Sequence, residues 1–231
     1  MLRIGGLEKS SLIDYPGKVS AVVFTYGCSL RCPYCHNPEL VTEKFNREYQ
    51  ITQKYFFEFL RNRKGKLDGV VITGGEPLIN DDLEKFIKKI KTLGYLVKLD
   101  TNGTYPSRLK KLIDRNLIDY IAMDVKYPKS EYIKSSARKG MTEKIMESIN
   151  IIMGSGVDYE FRTTYVKKFH NLKSAEGIGK MIKGAKRYYI QNFREGKTID
   201  PYLSSINSFS QNDLEKIKRI LKEYVQKVYI R

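Results

Sequence analysis

In the stretch Gly27-Cys28-Ser29-Leu30-Arg31-Cys32-Pro33-Tyr34-Cys35-His36-Asn37 lie all three cysteines of the chain. The spacings of three and two residues between the thiols allow one tight loop to wrap three thiolates around one inorganic centre. A structural zinc ion takes four protein ligands, as does a [4Fe-4S] cluster held only by protein, and the chain has no fourth cysteine. Three thiolates on a cubane leave one iron open, which is what a catalytic metal needs.

Two other interpretations of this loop have to be weighed. A zinc site of three cysteines and one histidine would require Cys35 and His36 to converge on one small ion, which adjacent side chains seldom do. Three buried, inert cysteines would be ordinary if they were scattered, but these share one loop with the polar candidates His36 and Asn37. The pattern therefore favours an iron-sulfur cluster.

Outward from the loop, apolar segments alternate with amphipathic ones. Short segments rich in β-branched residues predict buried strands at 19–25, 69–73, 96–99, 119–123, 159–164 and 187–191. Stripes of apolar residues predict helices at 52–62, 83–93, 107–115, 142–153, 175–182 and 211–225. Pro16-Gly17 predicts the turn of an opening hairpin. Asp81 or Asp82 is the predicted N-cap of the 83–93 helix. Residues 42–45 belong to a polar bridge between the cysteine loop and the 52–62 helix.

Strands that alternate with helices predict parallel βαβ units with right-handed crossovers. About six units fit the length, fewer than the eight of a closed barrel, so we predict an α/β fold of the partial (β/α)6 barrel type, with its active site at the carboxyl ends of the strands. An open doubly wound sheet is the alternative that periodicity does not separate from it. No Pro/Gly/Ser-rich linker interrupts the series, so residues 1–231 are expected to form a single domain.

Composition limits the location and the partners. The chain has no apolar run near 18 residues and its N-terminus lacks a signal-peptide core, which predicts a cytoplasmic protein with no membrane segment. Clustered cysteines in a reducing compartment favour metal binding over disulfides. The net charge of +16 favours an acidic partner such as RNA, but lysines on the solvated face of the 83–93 helix show that an ordinary basic surface accounts for it as well.

The cysteine loop and its flanks resemble a known superfamily. The spacing Cys28-x3-Cys32-x2-Cys35, with an aromatic residue before the last cysteine, is similar to the cluster loop of the radical S-adenosylmethionine (radical SAM) superfamily. Residues 11–18 and 35–40 resemble the activating proteins of anaerobic ribonucleoside-triphosphate reductase and, more broadly, the glycyl-radical enzyme activases. The resemblance implies a barrel of the radical SAM type, a [4Fe-4S] cluster and S-adenosylmethionine as cofactor.

The implied activity is that of an oxidoreductase. A reduced cluster passes one electron to the sulfonium of S-adenosylmethionine, and the resulting 5′-deoxyadenosyl radical abstracts a hydrogen atom. The implied partners are a glycyl-radical enzyme, such as anaerobic ribonucleotide reductase, and an electron donor such as ferredoxin or flavodoxin. The alternative is a radical enzyme that modifies a tRNA base or a deazapurine-type metabolite. A nucleic-acid-binding module with a structural cluster is a third interpretation, which the missing fourth ligand argues against.

The predicted strand ends carry the other candidate residues. The paired glycines Gly74 and Gly75 would let backbone approach a ligand, and Glu76 would accept hydrogen bonds from an ammonium group. Together with Pro77 they resemble the superfamily element that binds the amino group of S-adenosylmethionine. The resemblance also implies cofactor contacts, to the adenine, the methionine part, the ribose or a carboxylate, at Tyr34, Cys35, His36, Asn37, Asp100, Asn102, Asp124, Lys126 and Arg162.

Two of these residues resemble a monovalent-cation site of the activases. Asp100 and Asp124 would flank a small cation beside the cofactor carboxylate, with Thr101 and the carbonyl of Ala122 as further ligands. Two carboxylates that face a third would repel one another unless a cation intervenes. A small cation between Asp100 and Asp124 is therefore expected.

The chain departs from the family pattern at one later strand end. Activases of the pyruvate formate-lyase type carry a histidine there, where this chain offers Gln191 or Asn192 as a replacement contact. The second histidine of the chain, His170, lies in a separate loop, and histidine is common in loops as well as among ligands. A structural role for His170 is therefore favoured over a functional one.

Overall fold

A computed structural model describes residues 2–41, 51–135 and 139–231 of the chain. In these ranges one sheet contains eight strands, β1 (Ile4–Ser11), β2 (Ser20–Thr25), β3 (Gly69–Gly74), β4 (Leu96–Thr101), β5 (Tyr120–Asp124), β6 (Asp158–Tyr165), β7 (Arg187–Asn192) and β8 (Lys227–Ile230). The α-helices of the same ranges are α1 (Pro38–Val41), α2 (Gln53–Asn62), α3 (Leu83–Thr92), α4 (Pro106–Asp114), α5 (Met141–Gly154), α6 (Leu172–Met181) and α7 (Gln211–Leu221). The predicted bridge at 42–45 lies outside the described residues.

The strands are arranged in the sheet in chain order, from β1 to β8. β1 pairs antiparallel with β2, and every later neighbouring pair is parallel. Right-handed crossovers that always advance in one direction place their helices on the same side of the sheet, so the sheet curls into a barrel. A doubly wound sheet requires a reversal of strand order, so that alternative is wrong.

The barrel is partial because β1 and β8 are its two edges and do not pair with each other in the described sheet. The six predicted strands correspond to β2 through β7, and the predicted hairpin joins β1 to β2 around Pro16-Gly17. The short strand β8 was not predicted, since its four residues follow α7 without a distinct apolar pattern. α7 ends at Leu221, four residues before the predicted end at Val225.

The two faces of the sheet differ in chemistry. The outer face packs against the apolar stripes of the helices, as at Phe86, Ile87 and Ile90 of α3, which are all fully buried. Alternate residues of the strands point into the barrel, where the buried side chains include those of Lys98 and Glu160. Charged groups inside a barrel need partners: Lys98 pairs with Asp100, and Glu160 pairs with Arg231 and accepts a hydrogen bond from the Tyr120 hydroxyl.

The structure confirms the predicted N-cap position of the 83–93 helix but not a capping hydrogen bond. Asp82 occupies the N-cap position of α3, but its side chain makes no capping hydrogen bond; it accepts one from the backbone N–H of Leu2 instead (2.6 Å). Asp81 forms an ion pair with Arg108. No helix in the described ranges is both long enough and apolar enough to cross a membrane.

Candidate functional site

A cavity of about 230 Å³ opens at the carboxyl ends of the strands, where the cysteine loop meets the ends of β3 to β7. Apart from Glu76, Ala122 and the alternative candidate Asn192, all of the predicted site residues line this cavity. The structure therefore brings together residues that are up to 163 positions apart, from Cys28 to Gln191, at the end of the barrel where active sites of this architecture lie. Whether each of them contacts a cofactor stays a prediction.

The cysteine loop is held by its own backbone and by one arginine. The N–H of Cys35 donates to the carbonyl of Cys32 (3.0 Å), and Nη1 of Arg31 donates to the carbonyls of Cys28 (2.7 Å) and Leu30 (2.9 Å). Burial raises the pKa of the Cys28 thiol to about 11 and that of Cys32 to about 12. Without a metal these thiols are protonated near neutral pH, so binding of a metal centre must displace their protons.

The loop suits a cluster better than a single ion. In the described ranges no three His, Cys, Asp or Glu side chains lie close enough to ligate one metal ion. The His36 ring instead stacks on Phe193, with ring centroids 5.0 Å apart, and its Nδ1 lies 3.2 Å from the carbonyl of Lys197. The structure therefore does not bear out a zinc site of three cysteines and His36. Each cysteine of a cubane binds a different iron, so the thiolates need not converge on one point.

Two glycines at the end of β3 pack against backbone, Gly74 against the end of β2 and Gly75 against the start of the cysteine loop. The N–H of Gly75 donates to the carbonyl of Thr25 (2.9 Å), and that of Glu76 donates to the carbonyl of Gly27 (2.7 Å). A Cβ at Gly75 would lie only 2.1 Å from the carbonyl oxygen of Gly27, and Gly74 has a positive φ of 112°. Glycine is needed here because backbone packs directly on backbone, and this contact fixes the cysteine loop against β3.

Glu76 has a different place from the one expected. Its carboxylate is fully buried and accepts three hydrogen bonds, at Oε1 from Leu78 N–H (3.1 Å) and the Thr101 hydroxyl (2.9 Å), and at Oε2 from Asn102 N–H (2.6 Å). Burial raises its pKa to about 7 in spite of these donors. The side chain ties the end of β3 to the end of β4, and the cavity wall is formed here by Gly74 and Gly75, not by this carboxylate.

Asn102 links the end of β4 to the cysteine loop. Its Nδ2 donates to the sulfur of Cys28 (3.6 Å) and to the hydroxyl of Ser29 (3.4 Å). Its Oδ1 accepts from the backbone N–H of Thr104 (3.1 Å) and from its hydroxyl (2.7 Å), which fixes the orientation of the amide. Sequence reasoning placed this residue near the cofactor alone, whereas the structure adds a donor to the sulfur of Cys28, and hydrogen bonds to cysteine ligands of a cluster influence its reduction potential.

Five charged side chains, which we call the charged group, face one another below the loop: Lys98, Asp100, Asp124, Lys126 and Arg162. Nη2 of Arg162 lies 2.9 Å from Oδ2 of Asp100 and 3.1 Å from Oδ2 of Asp124. Lys98 pairs with Oδ1 of Asp100, and Lys126 lies 3.2 Å from Oδ1 of Asp124. Burial alone would raise the pKa of each carboxyl, but the cations outweigh it and lower both values.

Lys98 was missed from the sequence. It is 2% exposed and stands two residues before Asp100 on β4, so both side chains point into the barrel. A lysine inside an otherwise apolar strand was the available signal.

The backbone of Lys126 is clamped by two aromatic side chains. Nδ1 of His170 accepts the N–H of Val166 (3.1 Å), so Nε2 carries the proton and donates to the carbonyl of Lys126 (2.8 Å). The hydroxyl of Tyr132 accepts the N–H of Lys126 (3.0 Å). Burial lowers the pKa of His170, which therefore stays neutral. Its position supports a structural role, in which it fixes the strand end that carries Lys126.

Tyr34 supports the loop from behind. Its side chain is 3% exposed, and its ring meets Tyr127 and His170 edge-on, with centroids 6.0 Å apart in each pair. The ring is thus part of an aromatic cluster under the loop and is not free in the cavity. Of the three residues expected to pack on an adenine, Tyr34, Cys35 and His36, only His36 is well exposed.

The structure distinguishes between Gln191 and Asn192, the two candidates at the strand end that departs from the family pattern. Gln191 lines the cavity, and its Oε1 lies 3.5 Å from the hydroxyl of Thr164. Asn192 points elsewhere, since its side chain exchanges two hydrogen bonds with the backbone of Phe209 (2.9 and 3.0 Å). Gln191 is therefore the residue available to a ligand.

An open parallel barrel with three cysteines on one loop at its mouth defines a class of iron-sulfur enzymes, and comparisons with known proteins agree. The model of the radical SAM superfamily matches residues 22–178. A protein of Methanocaldococcus jannaschii, provisionally described as a glycyl-radical enzyme activating enzyme, is 35% identical over 99% of this chain and 95% of its own length. The pyruvate formate-lyase-activating enzyme of Clostridium pasteurianum is 25% identical over 98% of this chain and 99% of its own.

Solved structures share the fold. SuiB of Streptococcus suis bound to S-adenosylmethionine has a TM-score of 0.62 at 16% identity over 89% of this chain, which spans only 48% of SuiB. TYW1 with a lysine-pyruvate adduct also has a TM-score of 0.62, at 13% identity; the match covers 88% of this chain and 73% of the TYW1 chain. The chain belongs to the radical SAM superfamily, whose cofactors are a [4Fe-4S] cluster and S-adenosylmethionine. Within it, the chain belongs to the glycyl-radical enzyme activating enzymes.

Proposed function

We propose that this protein generates a glycyl radical on a partner enzyme, and that the partner is an anaerobic ribonucleotide reductase. The observation that supports the activase role is the likeness to the M. jannaschii protein, which extends over 99% of this chain and 95% of that one. The reductase as partner rests on the resemblance of residues 11–18 and 35–40 to the activating proteins of that reductase.

In this proposal the three thiolates of Cys28, Cys32 and Cys35 hold the cluster and leave one iron for the amino and carboxylate groups of S-adenosylmethionine. When bound and reduced by one electron, the cluster and cofactor supply a 5′-deoxyadenosyl radical, which takes a hydrogen atom from the partner's glycine and leaves methionine, 5′-deoxyadenosine and the glycyl radical. The electron comes from a carrier such as ferredoxin or flavodoxin.

The protein's own groups orient these components. Lys126 lies close enough to Cys32 for its charge to favour the thiolate form of that side chain, and Asn102 donates to Cys28. Gly74 and Gly75 present backbone to the cavity, where a cofactor ammonium group would find carbonyl acceptors. The positive charge of Arg162 is available at the same wall for a carboxylate.

The deciding experiment mixes the anaerobically reconstituted, reduced protein with S-adenosylmethionine and the candidate reductase. Electron paramagnetic resonance should detect a glycyl doublet, and 5′-deoxyadenosine should form in equal amount. Controls are the Cys35→Ala variant, which should lack the cluster, and a reductase whose radical glycine is replaced by alanine. Cofactor cleavage without a doublet would refute the partner while leaving the radical chemistry intact.

One observation favours a second candidate function, the modification of a tRNA base or a deazapurine-type metabolite. The net charge of +16 suits a nucleic-acid partner. If some six or more phosphates are contacted, affinity for tRNA should fall by roughly 10³ or more between about 50 and 200 mM salt. Formation of 5′-deoxyadenosine that is stimulated by tRNA or by a deazapurine precursor, together with no glycyl doublet, would establish this alternative.

A further inference from the structure

The position between Asp100 and Asp124 is occupied by a side chain of the protein. The same nitrogen, Nη2 of Arg162, is within hydrogen-bonding distance of one oxygen of each carboxylate, at 2.9 and 3.1 Å. These are the oxygens that a small cation shared by the two carboxylates would use. The register of the sheet produces this contact, because Asp124 and Arg162 are direct neighbours on β5 and β6.

The other side-chain oxygens of the expected ligand set are also engaged. Oδ1 of Asp100 accepts from Lys98, and Oδ1 of Asp124 lies 3.2 Å from Nζ of Lys126. The hydroxyl of Thr101 donates to Glu76 (2.9 Å) and accepts the N–H of Gly103 (3.1 Å). The residues that resemble a monovalent-cation site therefore do not fit a free ion in this arrangement.

The net charge of the charged group also argues against a metal ion between Asp100 and Asp124. The charged group contains three cations and two carboxylates, so its formal charge is +1 before any ligand binds. Its side chains are between 2% and 19% exposed, so water screens them weakly. The net charge of these five side chains alone favours an added anion over an added cation. Nε of Arg162 is buried and has no acceptor among the described residues.

We propose that Arg162 supplies the cation between Asp100 and Asp124, so that this enzyme binds S-adenosylmethionine without a monovalent metal ion at that position. Arg162 acts here as a positioning residue, since it holds the two strand-end carboxylates in place at the wall of the cavity. The inference rests on the superfamily assignment and is independent of which partner receives the radical.

The test measures binding of S-adenosylmethionine to the anaerobically reconstituted protein by equilibrium dialysis. Sodium and potassium are replaced by tetramethylammonium at a constant ionic strength of about 0.1 M, so that general screening is unchanged. Affinity of the unaltered protein should stay within about twofold across these salts. A loss of about tenfold or more in tetramethylammonium, restored in a saturable way by sodium or potassium, would overturn the proposal.

Two variants sharpen the result. Arg162→Gln removes the fixed cation and should make affinity at least about tenfold higher in sodium or potassium than in tetramethylammonium. Arg115→Gln, which removes a surface arginine paired with Glu84, should show no such dependence. A folded Arg162→Gln protein without ion dependence would contradict the proposal.

If Arg162→Gln does not fold, Arg162→Lys keeps a positive charge and should remain independent of the ion. The melting temperature gives a readout that needs no cofactor: sodium, potassium and tetramethylammonium should give the same value for the unaltered protein. A rise specific to one metal ion would count against the proposal.

Discussion

Replacing Glu76 by Gln should alter how the stability of the protein depends on pH. The carboxylate has no exposed surface, and three donors from two strand ends point at it, the N–H groups of Leu78 and Asn102 and the hydroxyl of Thr101. Burial raises its pKa from 4.5 to about 7. The side chain is thus a buried acid that ionises near neutral pH, and its ionisation is linked to folding.

The sign of the linkage follows from the direction of the shift. Between pH 4.5 and about 7 the folded protein keeps a proton that the unfolded chain has released. The free energy of unfolding therefore falls as pH rises through this window and levels off above it. At about 1.4 kcal/mol for each pKa unit, the full fall due to Glu76 is about 3 kcal/mol. Glutamine does not ionise, so this component should be missing from the variant.

The variant also has a cost that does not depend on pH. The amide NH2 of glutamine cannot accept a hydrogen bond, so at least one of the three donors around Glu76 loses its partner, at about 1–3 kcal/mol. At about pH 5 the Glu76→Gln protein should therefore be less stable than the unaltered one by roughly this amount. Toward about pH 8 the difference should shrink to near zero or change sign, because only the unaltered protein then holds a buried charge.

The measurement is urea unfolding of the reduced, cluster-free protein at intervals between about pH 5 and about pH 8. The cysteine thiols do not interfere, since burial raises the pKa of Cys28 to about 11 and that of Cys32 to about 12. Glu147→Gln, which changes an exposed carboxylate on α5, is the matched control and should run parallel to the unaltered protein. If the Glu76→Gln curve also runs parallel, Glu76 does not titrate in this window and the reasoning is wrong.

Two further predictions concern the contacts of the cysteine loop. Gly75→Ala should lower the free energy of unfolding by about 1–3 kcal/mol, because its Cβ would meet the carbonyl of Gly27, and it should reduce the iron retained after reconstitution. The control is Gly154→Ala, where a Cβ has no neighbour within 4 Å; this variant should be neutral or slightly stabilising in the same assays. Asn102→Leu should make the reduction potential of the cluster more negative, since it removes a donor to the sulfur of Cys28 that favours the more negatively charged reduced state. The potential is measured by a redox titration followed by electron paramagnetic resonance. An unchanged potential would show that this contact is not kept with the cluster bound.

Local sequence was enough for the scaffold and for locating the cysteine loop. A buried parallel strand is a short, nearly continuous apolar run, and an amphipathic helix repeats its apolar residues every three or four positions, so β2 to β7 and α2 to α7 could be predicted from neighbours along the chain. The cysteine loop was visible for the same reason, since its three thiols lie within eight residues, Cys28 to Cys35. The short strand β8 was not predicted, and the hydrogen bond that the Asp82 side chain makes depends on a distant residue, Leu2.

Tertiary structure decided what each strand-end side chain does. The sequence placed Glu76, Asp100 and Arg162 at strand ends, but strand pairing and register determine whether a side chain there faces the cavity or another strand end. The sheet buries Glu76 between two strand ends and sets Arg162 between two carboxylates that precede it by 62 and 38 residues. Such contacts join residues far apart in the chain, and the free energy of burying a charge depends on all the neighbours that folding brings to it, so no local pattern records it.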